Sequence, residues 1–309
     1  MKLRRCIWLA VVTALGLCTV ASAQSEKPAM LSAWAPQPIK PAPFEPPNKP
    51  LKKLSEILAR HMGKADWAET EVLTRDFIGQ YISMSPGKRT KSVFYADDRV
   101  FWVVMTGQIR FTIDGEAPFV ASPGFLVQVP YRVSYSMETV GGVPSLRFEV
   151  RPSGETPSYP IAERPDPLPG IAFAKTTYSG RGKYDGINKP YIDFEKDMVS
   201  DNGKGGPFVK DDHTWANIIR TAGIPTPADS NYGHFHENFA EFWIVLEGQE
   251  DFLIQGLPIL TANRGDIVFA PEERWHRASA AGTGNSTRLA ITPRPPSLHY
   301  FQSDHTGGD

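Results

Sequence analysis

An internal repeat restricts the fold of this chain more than any other feature of its sequence. A shift of 141 residues places residues 101–108 (FWVVMTGQ) on residues 242–249 (FWIVLEGQ). Without a gap, the same shift superimposes a glycine and a proline of the two halves, Gly124 on Gly265 and Pro130 on Pro271. Two separate segments therefore agree on one offset, which predicts a duplicated domain with a similar structure in both halves.

The residues inside the repeat favour β-structure. Short runs rich in Val, Ile, Phe, Tyr and Trp, at 100–105, 109–113, 125–129 and 146–150, are separated by Gly, Pro and Asp. The chain has 28 prolines and 26 glycines in 309 residues, which is typical of many turns between short strands. We therefore predict an all-β protein with two barrels, preceded by one short helix.

The segments around the repeat suggest where the domains begin and end. Residues 24–50 are proline-rich and predict an extended arm, and apolar residues at helical spacing follow it as far as Gly63. A second proline-rich stretch lies within residues 152–170. We predict an N-terminal barrel over 51–151, a linker over 152–170 and a C-terminal barrel over 171–309.

The first 23 residues have the pattern of an export signal. Lys2, Arg4 and Arg5 form a basic start, an apolar run covers 7–17, and Ala-Ser-Ala at 21–23 is a small-x-small cleavage site. We expect a secreted or periplasmic protein that begins at residue 24 and has no membrane span. A lipoprotein is disfavoured because Leu17 stands where a lipoprotein cleavage box requires a small residue.

Charge and cysteine content limit the classes of partner. Removal of residues 1–23 takes away three positive charges, so the formal net charge of −1 becomes −4. Nucleic acid is therefore not expected as a partner. Both cysteines lie in the predicted signal, so the mature chain has no disulfide. We expect a small-molecule ligand or substrate, and association into a homo-oligomer is compatible with the sequence.

The second half contains a set of residues that could bind a metal ion. His234 and His236 stand two residues apart, which on a strand directs both imidazoles to one face. Glu241 follows, and His276 comes after a glycine and a proline that predict a turn. Imidazole nitrogens and a carboxylate oxygen suit a divalent first-row metal, so we predict a metal site with these four ligands.

These residues resemble the two motifs of the cupin superfamily. The first motif, HxH, then E, then G, matches His234, His236, Glu241 and Gly248. The second matches Gly265, Pro271 and His276, with Glu273 where the family often has Gly and Ala280 where it often has Asn. The resemblance implies a jelly-roll, or double-stranded β-helix, barrel in each half, and a metal held by the four ligands in the second.

The first half lacks every one of these ligands. The 141-residue shift places His234, His236, Glu241 and His276 on residues that cannot hold a metal ion in this way: Val93, Tyr95, Val100 and Tyr135. We therefore expect one metal ion for each chain of two barrels. The resemblance to bicupins includes oxalate decarboxylases, but these carry ligands in both barrels, which argues against that activity here.

Other polar and aromatic residues each allow two interpretations. Trp243 shares the predicted inward face with Glu241 and belongs either to a pocket wall or to the core. Arg274 either points into the barrel and holds a substrate carboxylate or lies solvated on a loop. Asp211, Asp212 and His213 form either a solvated turn or a source of a general acid or base. His61, His299 and His305 have no assigned role.

Three classes of function remain. The resemblance implies a metal-dependent enzyme acting on a small oxygenated molecule, with a dioxygenase for an aromatic or carboxylate substrate first and a lyase, decarboxylase or isomerase next. A non-catalytic protein that binds a sugar or another small molecule is the alternative, and a storage-type bicupin is disfavoured because all four ligands are retained in one half. The ligand set favours Mn or Fe and also suits Zn, Ni or Cu.

Overall fold

The computed structural model describes residues 33–200, 205–221, 233–282 and 284–294 and the backbone of 299–300. The predicted signal and the first part of the predicted arm lie outside the described residues. So does His305. From Gln37 onward the chain forms one compact unit, so the two predicted barrels do not separate into independent bodies.

The first half contains one helix and short antiparallel strands, as the alternating hydrophobic runs predict. In chain order its elements are β1 (Leu51–Lys52), α1 (Leu54–Arg60), β2 (Trp67–Leu73), β3 (Phe77–Met84), β4 (Val100–Thr106), β5 (Gln108–Ile113), β6 (Phe119–Ala121), β7 (Phe125–Val129), β8 (Tyr135–Val140) and β9 (Ser145–Pro152). The helix is shorter than its sequence pattern suggests because Leu51 and Lys52 belong to a strand.

The second half has a similar series of strands. Its elements are β10 (Tyr191–Asp193), a π-helical turn (Glu195–Ser200), β11 (Gly206–Lys210), β12 (Trp215–Thr221), β13 (His234–Phe235), β14 (Glu241–Glu247), β15 (Gln249–Ile254), β16 (Leu260–Asn263), β17 (Ile267–Ala270), β18 (His276–Ala280), β19 (Ser286–Thr292) and β20 (His299–Tyr300). The π-helical turn had no signal in the sequence analysis. The prediction of a mostly β protein is confirmed.

The strands form four antiparallel sheets, two for each barrel. The first barrel combines a six-stranded sheet, in the order β10-β7-β4-β9-β3-β2, with a three-stranded sheet, β6-β5-β8. The second barrel combines a six-stranded sheet, β1-β17-β14-β19-β12-β11, with a five-stranded sheet, β16-β15-β18-β13-β20. Each barrel is therefore a pair of facing sheets, as the resemblance implies.

Two short edge strands pair across the predicted domain boundaries. Leu51–Lys52, at the start of the predicted first barrel, pairs with Ile267 and Val268 in the second. Tyr191–Asp193 lies in the predicted second barrel and pairs with Phe125–Val129 in the first. Each half thus supplies an edge strand to the other, while the division at 152–170 itself stays a prediction.

The largest hydrophobic core lies between the two six-stranded sheets. Alternate residues of one strand face opposite sides, so Phe101 and Val103 of β4 join this shared core while Trp102 faces the inside of its own barrel. Phe242 of β14 contributes from the second sheet, and its ring lies 6.2 Å from that of Phe77. The two halves therefore bury these residues against each other.

The repeat predicted from sequence is present in the backbone. Strands β4 and β5 map on β14 and β15 with identical bounds at the 141-residue offset. A register shift in the pairing of β4 with β9 recurs at the equivalent position of β14 with β19. Arg132 and Glu273 are equivalent residues and share positive φ angles of 59° and 65°. Glu273 therefore adopts the left-handed conformation that glycine favours, which accounts for the glycine expected there.

Candidate metal centre

Four side chains converge inside the second barrel. His234 lies in β13, His236 follows that strand, Glu241 begins β14 and His276 begins β18. Their nitrogen and oxygen donor atoms all lie within 4.8 Å of one another. Pairing of β13 with β18 places His234 directly opposite His276, so the sheet itself brings together residues 42 positions apart. The four ligands predicted from sequence are the four that the structure brings together.

One oxygen of Glu241 is the centre of the cluster. Its Oε2 atom lies 2.8 Å from Nε2 of His236 and 3.1 Å from Nε2 of His276. Nε2 of His234 is 3.6 Å from the same oxygen and 3.2 Å from Nε2 of His276. Three imidazole nitrogens therefore point at one carboxylate, which is the arrangement that a single cation would bridge.

Burial and the neighbouring charges keep these groups ready to bind a cation. Burial alone would raise the pKa of Glu241, but the three imidazoles around its carboxylate hold that pKa well below its usual range. Burial lowers the pKa of His276 to about 4, although the Glu241 carboxylate opposes the change. At neutral pH, Glu241 is therefore ionised and His276 is neutral with a free lone pair, the states that metal binding requires.

Neighbouring groups fix the orientation of the imidazoles. Nδ1–H of His276 donates to the carbonyl oxygen of Arg274 at 3.0 Å, which leaves its Nε2 directed at Glu241. The ring of His236 stacks on Phe239 with centroids 4.6 Å apart, and Trp243 meets His276 edge-on at 5.1 Å. The donor set, its burial and these supports fit a divalent ion, while the role of the four residues as ligands stays a prediction.

Comparison with known proteins gives a fold and no closer relative. No family model matches the sequence, and no curated protein matches it. A cupin 2 conserved barrel domain protein from Leptotrichia buccalis superposes on 79% of this chain and 96% of its own, at 11% identity and a TM-score of 0.50. A salicylate 1,2-dioxygenase from Pseudaminobacter salicylatoxidans covers 85% of this chain and 88% of its own, at 13% identity and a TM-score of 0.58.

This chain has the cupin fold. The predicted fold class, two cupin barrels, is confirmed by these superpositions together with the four antiparallel sheets. The His and Glu cluster described above lies in the C-terminal barrel. Among the described residues, no helix is both long and apolar enough to cross a bilayer.

Of the two predicted pocket residues, Trp243 lies in the cupin interior. It is 3% exposed and packs against Phe252 with ring centroids 5.3 Å apart, as well as against His276. Its alternation with Glu241 along β14 is as predicted. It therefore both belongs to the barrel core and borders the candidate metal centre.

Arg274 has partners that the sequence did not suggest. Its guanidinium donates to the carbonyl oxygens of Ala42 and Gln255, and it lies 4.6 Å over the ring of Phe44. It is only 8% exposed, so it is not a solvated loop residue. Its role in holding a substrate carboxylate stays a prediction, and in the structure its donors bind the proline-rich arm and the turn beside His276.

The remaining polar candidates lie in turns or at the helix end. Asp211 accepts from the backbone N–H groups of His213 and Thr214 and pairs with Nε of Arg99 at 2.7 Å. These contacts form a turn between β11 and β12, which is the first of the two interpretations given above. His61 pairs with Glu69 at 2.6 Å beyond α1, and the backbone of His299 lies in β20.

The first barrel contains a polar group that the sequence analysis missed. Glu149 of β9 lies inside the barrel and accepts a hydrogen bond from Nε1 of Trp102 at 2.6 Å. Two of the residues at the ligand positions, Tyr95 and Tyr135, belong to the same interior cluster as Trp102 and are 6% and 4% exposed. Because the repeat pairs Glu149 with Ala290, a comparison of the two halves at every buried strand position would have identified this difference.

Proposed function

We propose that this protein is an exported, metal-dependent cupin enzyme that binds one divalent ion per chain. It acts on a small oxygenated molecule with an aromatic ring or a carboxylate. Dioxygenase activity is our first choice, followed by lyase, decarboxylase or isomerase activity. The observation that carries the proposal is the convergence of His234, His236 and His276 on one buried oxygen of Glu241.

The donor set guides the choice of metal. His234, His236, Glu241 and His276 would hold the ion, and we favour Mn or Fe over Zn, Ni or Cu because an ion that prefers six ligands keeps positions open beyond these four. When bound, such an ion supplies a Lewis acid and open coordination positions for substrate or dioxygen. The first barrel offers no equivalent donors at Val93 and Val100.

The surrounding side chains would set the conditions for chemistry. Glu241 remains ionised, and the carbonyl oxygen of Arg274 holds the Nδ1 proton of His276, so neither group exchanges a proton with the reactants at neutral pH. Phe239 and Trp243 cover two of the imidazole rings with apolar surface. Such a wall excludes water and strengthens electrostatic interactions at the reacting atoms.

The choice of substrate class follows from the fold neighbour. The salicylate 1,2-dioxygenase shares only the cupin fold with this chain at 13% identity. We use its name only to choose the first class of substrate to test on this protein, an aromatic carboxylate. The edge-on packing of Trp243 against His276 supports this class, because it places an aromatic surface beside the metal centre.

The experiment that tests the proposed function combines metal analysis with oxygen uptake. The full chain is purified, its metal content is measured, and oxygen consumption is followed with a panel of aromatic and aliphatic carboxylates after loading with Fe(II) or Mn(II). We expect bound metal, loss of activity with chelator, and oxygen uptake with an aromatic acid. Turnover without oxygen uptake would indicate a lyase, decarboxylase or isomerase. Binding without turnover would contradict the enzyme and support a binding protein.

Export is a separate part of the proposal and rests on residues 1–23 alone. Expression of the full-length chain in a bacterium with an export pathway should give a mature protein that starts at Gln24. N-terminal sequencing of the periplasmic or secreted fraction measures this directly. Retention of Met1 on a cell-internal protein would contradict export and leave the metal centre unaffected.

A further inference from the structure

The two barrels hold an equivalent tryptophan in the same surroundings. Trp102 packs against Phe111 at 5.4 Å and 53° and against Tyr135 at 4.9 Å and 66°. Trp243, its counterpart at the 141-residue offset, packs against the counterpart rings, Phe252 at 5.3 Å and 47° and His276 at 5.1 Å and 69°. Because both neighbours agree in distance and angle, the two indoles occupy equivalent places in their barrels.

The residue opposite the tryptophan differs between the barrels. In the first barrel Trp102 pairs across the strands with Glu149, whose carboxylate accepts the indole N–H at 2.6 Å. In the second barrel Trp243 pairs with Ala290, which ends at Cβ. The substitution therefore removes a carboxylate from a position directly opposite a buried indole.

The indole N–H of the second barrel is left without an acceptor. Nε1 of Trp243 makes no hydrogen bond within the described part of the chain, and it is not one of the fully buried polar atoms that lack a partner, although the whole side chain is only 3% exposed. The nitrogen therefore borders open space, where water or a ligand can accept its hydrogen bond. This donor lies on the same strand face as Glu241 and beside His276.

A buried arginine adds a positive charge to the same face. In the first barrel Nε of Arg147 lies 3.8 Å from the Glu149 carboxylate. Its counterpart Arg288 lies two residues before Ala290 on β19; its Nη1 binds Glu250 at 2.6 Å, and its Nε has no partner. Glu250 offsets part of the charge, and the unpartnered Nε–H remains a second donor.

We propose that Nε1–H of Trp243 and the position that Ala290 leaves without a carboxylate form a subsite for the carboxylate of a small molecule bound at the metal centre. The first barrel holds a carboxylate of its own chain at the equivalent place, and the second would take one from its ligand. This inference rests on the proposed function and narrows it, because it makes Trp243 a specificity determinant and an acid the ligand class.

The direct test follows the indole N–H groups during titration with an acid. The full chain is labelled with ¹⁵N-tryptophan and loaded with Zn(II), which is diamagnetic, and the indole resonances are assigned with the variants Trp243→Phe and Trp102→Phe. Acetate, benzoate and salicylate are the probes. We expect the Trp243 resonance to move on binding of a probe and the Trp102 resonance to stay, because Glu149 already occupies its donor.

Two variants measure the subsite by affinity. Trp243→Phe keeps an aromatic ring but loses the donor, so the Kd of the best probe should rise about tenfold or more. Ala290→Glu supplies the carboxylate of the first barrel and should abolish probe binding while the metal stays bound. The matched control is Trp102→Phe, which should change Kd less than about twofold. If Ala290→Glu fails to fold, the Kd of the best probe for Trp243→Phe still tests the subsite.

The outcomes separate this inference from the proposed function. If the chain takes up no metal, the proposed function fails. If metal is bound but the probes bind equally well to Trp243→Phe, or the Trp243 resonance does not respond while calorimetry shows binding, only the subsite is wrong. If no probe binds the metal-loaded protein at millimolar concentration, the subsite is also wrong.

Discussion

The two barrels have one backbone plan and two different interiors. At equivalent positions the first barrel has Val93, Val100 and Tyr135 where the second has His234, Glu241 and His276. The strand pairing is nevertheless the same, since Val93 bridges Tyr135 just as His234 pairs with His276. The frame of a cupin barrel is therefore specified separately from the chemistry inside it.

The outward faces of the two six-stranded sheets explain why the frame of a barrel is specified separately from its interior, because both of these faces are apolar. Residues of the six-stranded sheets that point away from the barrel interiors, such as Phe101 and Phe242, pack into the core shared by both halves. A change there would disturb both barrels, because protein cores are closely packed. Residues that point inward, such as Trp102 and Trp243, belong to two separate interior clusters, so one interior can be closed with Glu149 and the other left with ligands.

The largest difference between the barrels should be in metal binding. We expect His236→Ala to reduce metal affinity by at least about 100-fold, because it removes one of four ligands, while the barrel stays folded on its large core. Metal content and circular dichroism of the variant check this. The control is Tyr95→Phe, which alters the equivalent residue of the first barrel and should leave metal content unchanged. Unfolding of His236→Ala would show that the ion is structural.

The first barrel should depend on Glu149 for stability. We expect Glu149→Ala to lower the free energy of unfolding by about 2–4 kcal/mol, because Trp102 loses its acceptor and the nearby Arg147 loses its only close carboxylate in the described structure. Urea denaturation measures the loss. Ala290→Ser, at the equivalent position of the second barrel, is the control and should change stability by less than about 1 kcal/mol. Equal stability of Glu149→Ala and wild type would contradict a satisfied, closed interior.

The two interiors should also differ in their response to acid. The pKa of His276 is lowered from 6.5 to about 4 in the folded state by burial. The unfolded chain therefore takes up a proton at this residue first, and metal-free protein loses stability as the pH falls from about 6.5 to 4, at up to about 1.4 kcal/mol per pH unit. His276→Tyr installs the residue of the first barrel and should flatten this dependence. Denaturation midpoints at pH 7, 6 and 5 test it, and identical slopes for variant and wild type would refute it.

The smallest effect is expected from the residues around the ligands. Arg274→Lys keeps the carbonyl oxygen that binds His276 but weakens the contacts with Ala42 and Phe44. We expect metal affinity to fall about three- to tenfold, less than if the hydrogen bond to Nδ1 of His276 itself were lost. Arg110→Lys, an exposed position on the first barrel, is the control. Calorimetric titration with Mn(II) compares the two, and equal affinities would mean that the arm does not support the metal centre.

Much of the fold and of the candidate metal centre could be predicted from sequence because the repeat is ungapped. The hydrophobic alternation of β4 and β14 and the spacing of His234, His236, Glu241 and His276 are local patterns, and local patterns report strand faces well. The structure accordingly brings the four residues within one cluster.

What the sequence could not predict depends on contacts between distant segments. The pairing of Leu51–Lys52 with the second barrel and the binding of Arg274 to the arm join residues more than 200 positions apart. The partnership of Trp102 with Glu149 is likewise a cross-strand contact, invisible until the strand register is known. No local periodicity encodes such pairings.

The central claim, one metal ion in a chain of two barrels, is tested most directly by metal stoichiometry with anomalous diffraction. Crystals of the full chain grown with Mn(II) should give one anomalous peak per chain, surrounded by His234, His236, Glu241 and His276. Metal analysis of the same protein should give about one ion per chain. A second peak near Tyr95 and Tyr135, or no peak at the His and Glu cluster, would contradict the account.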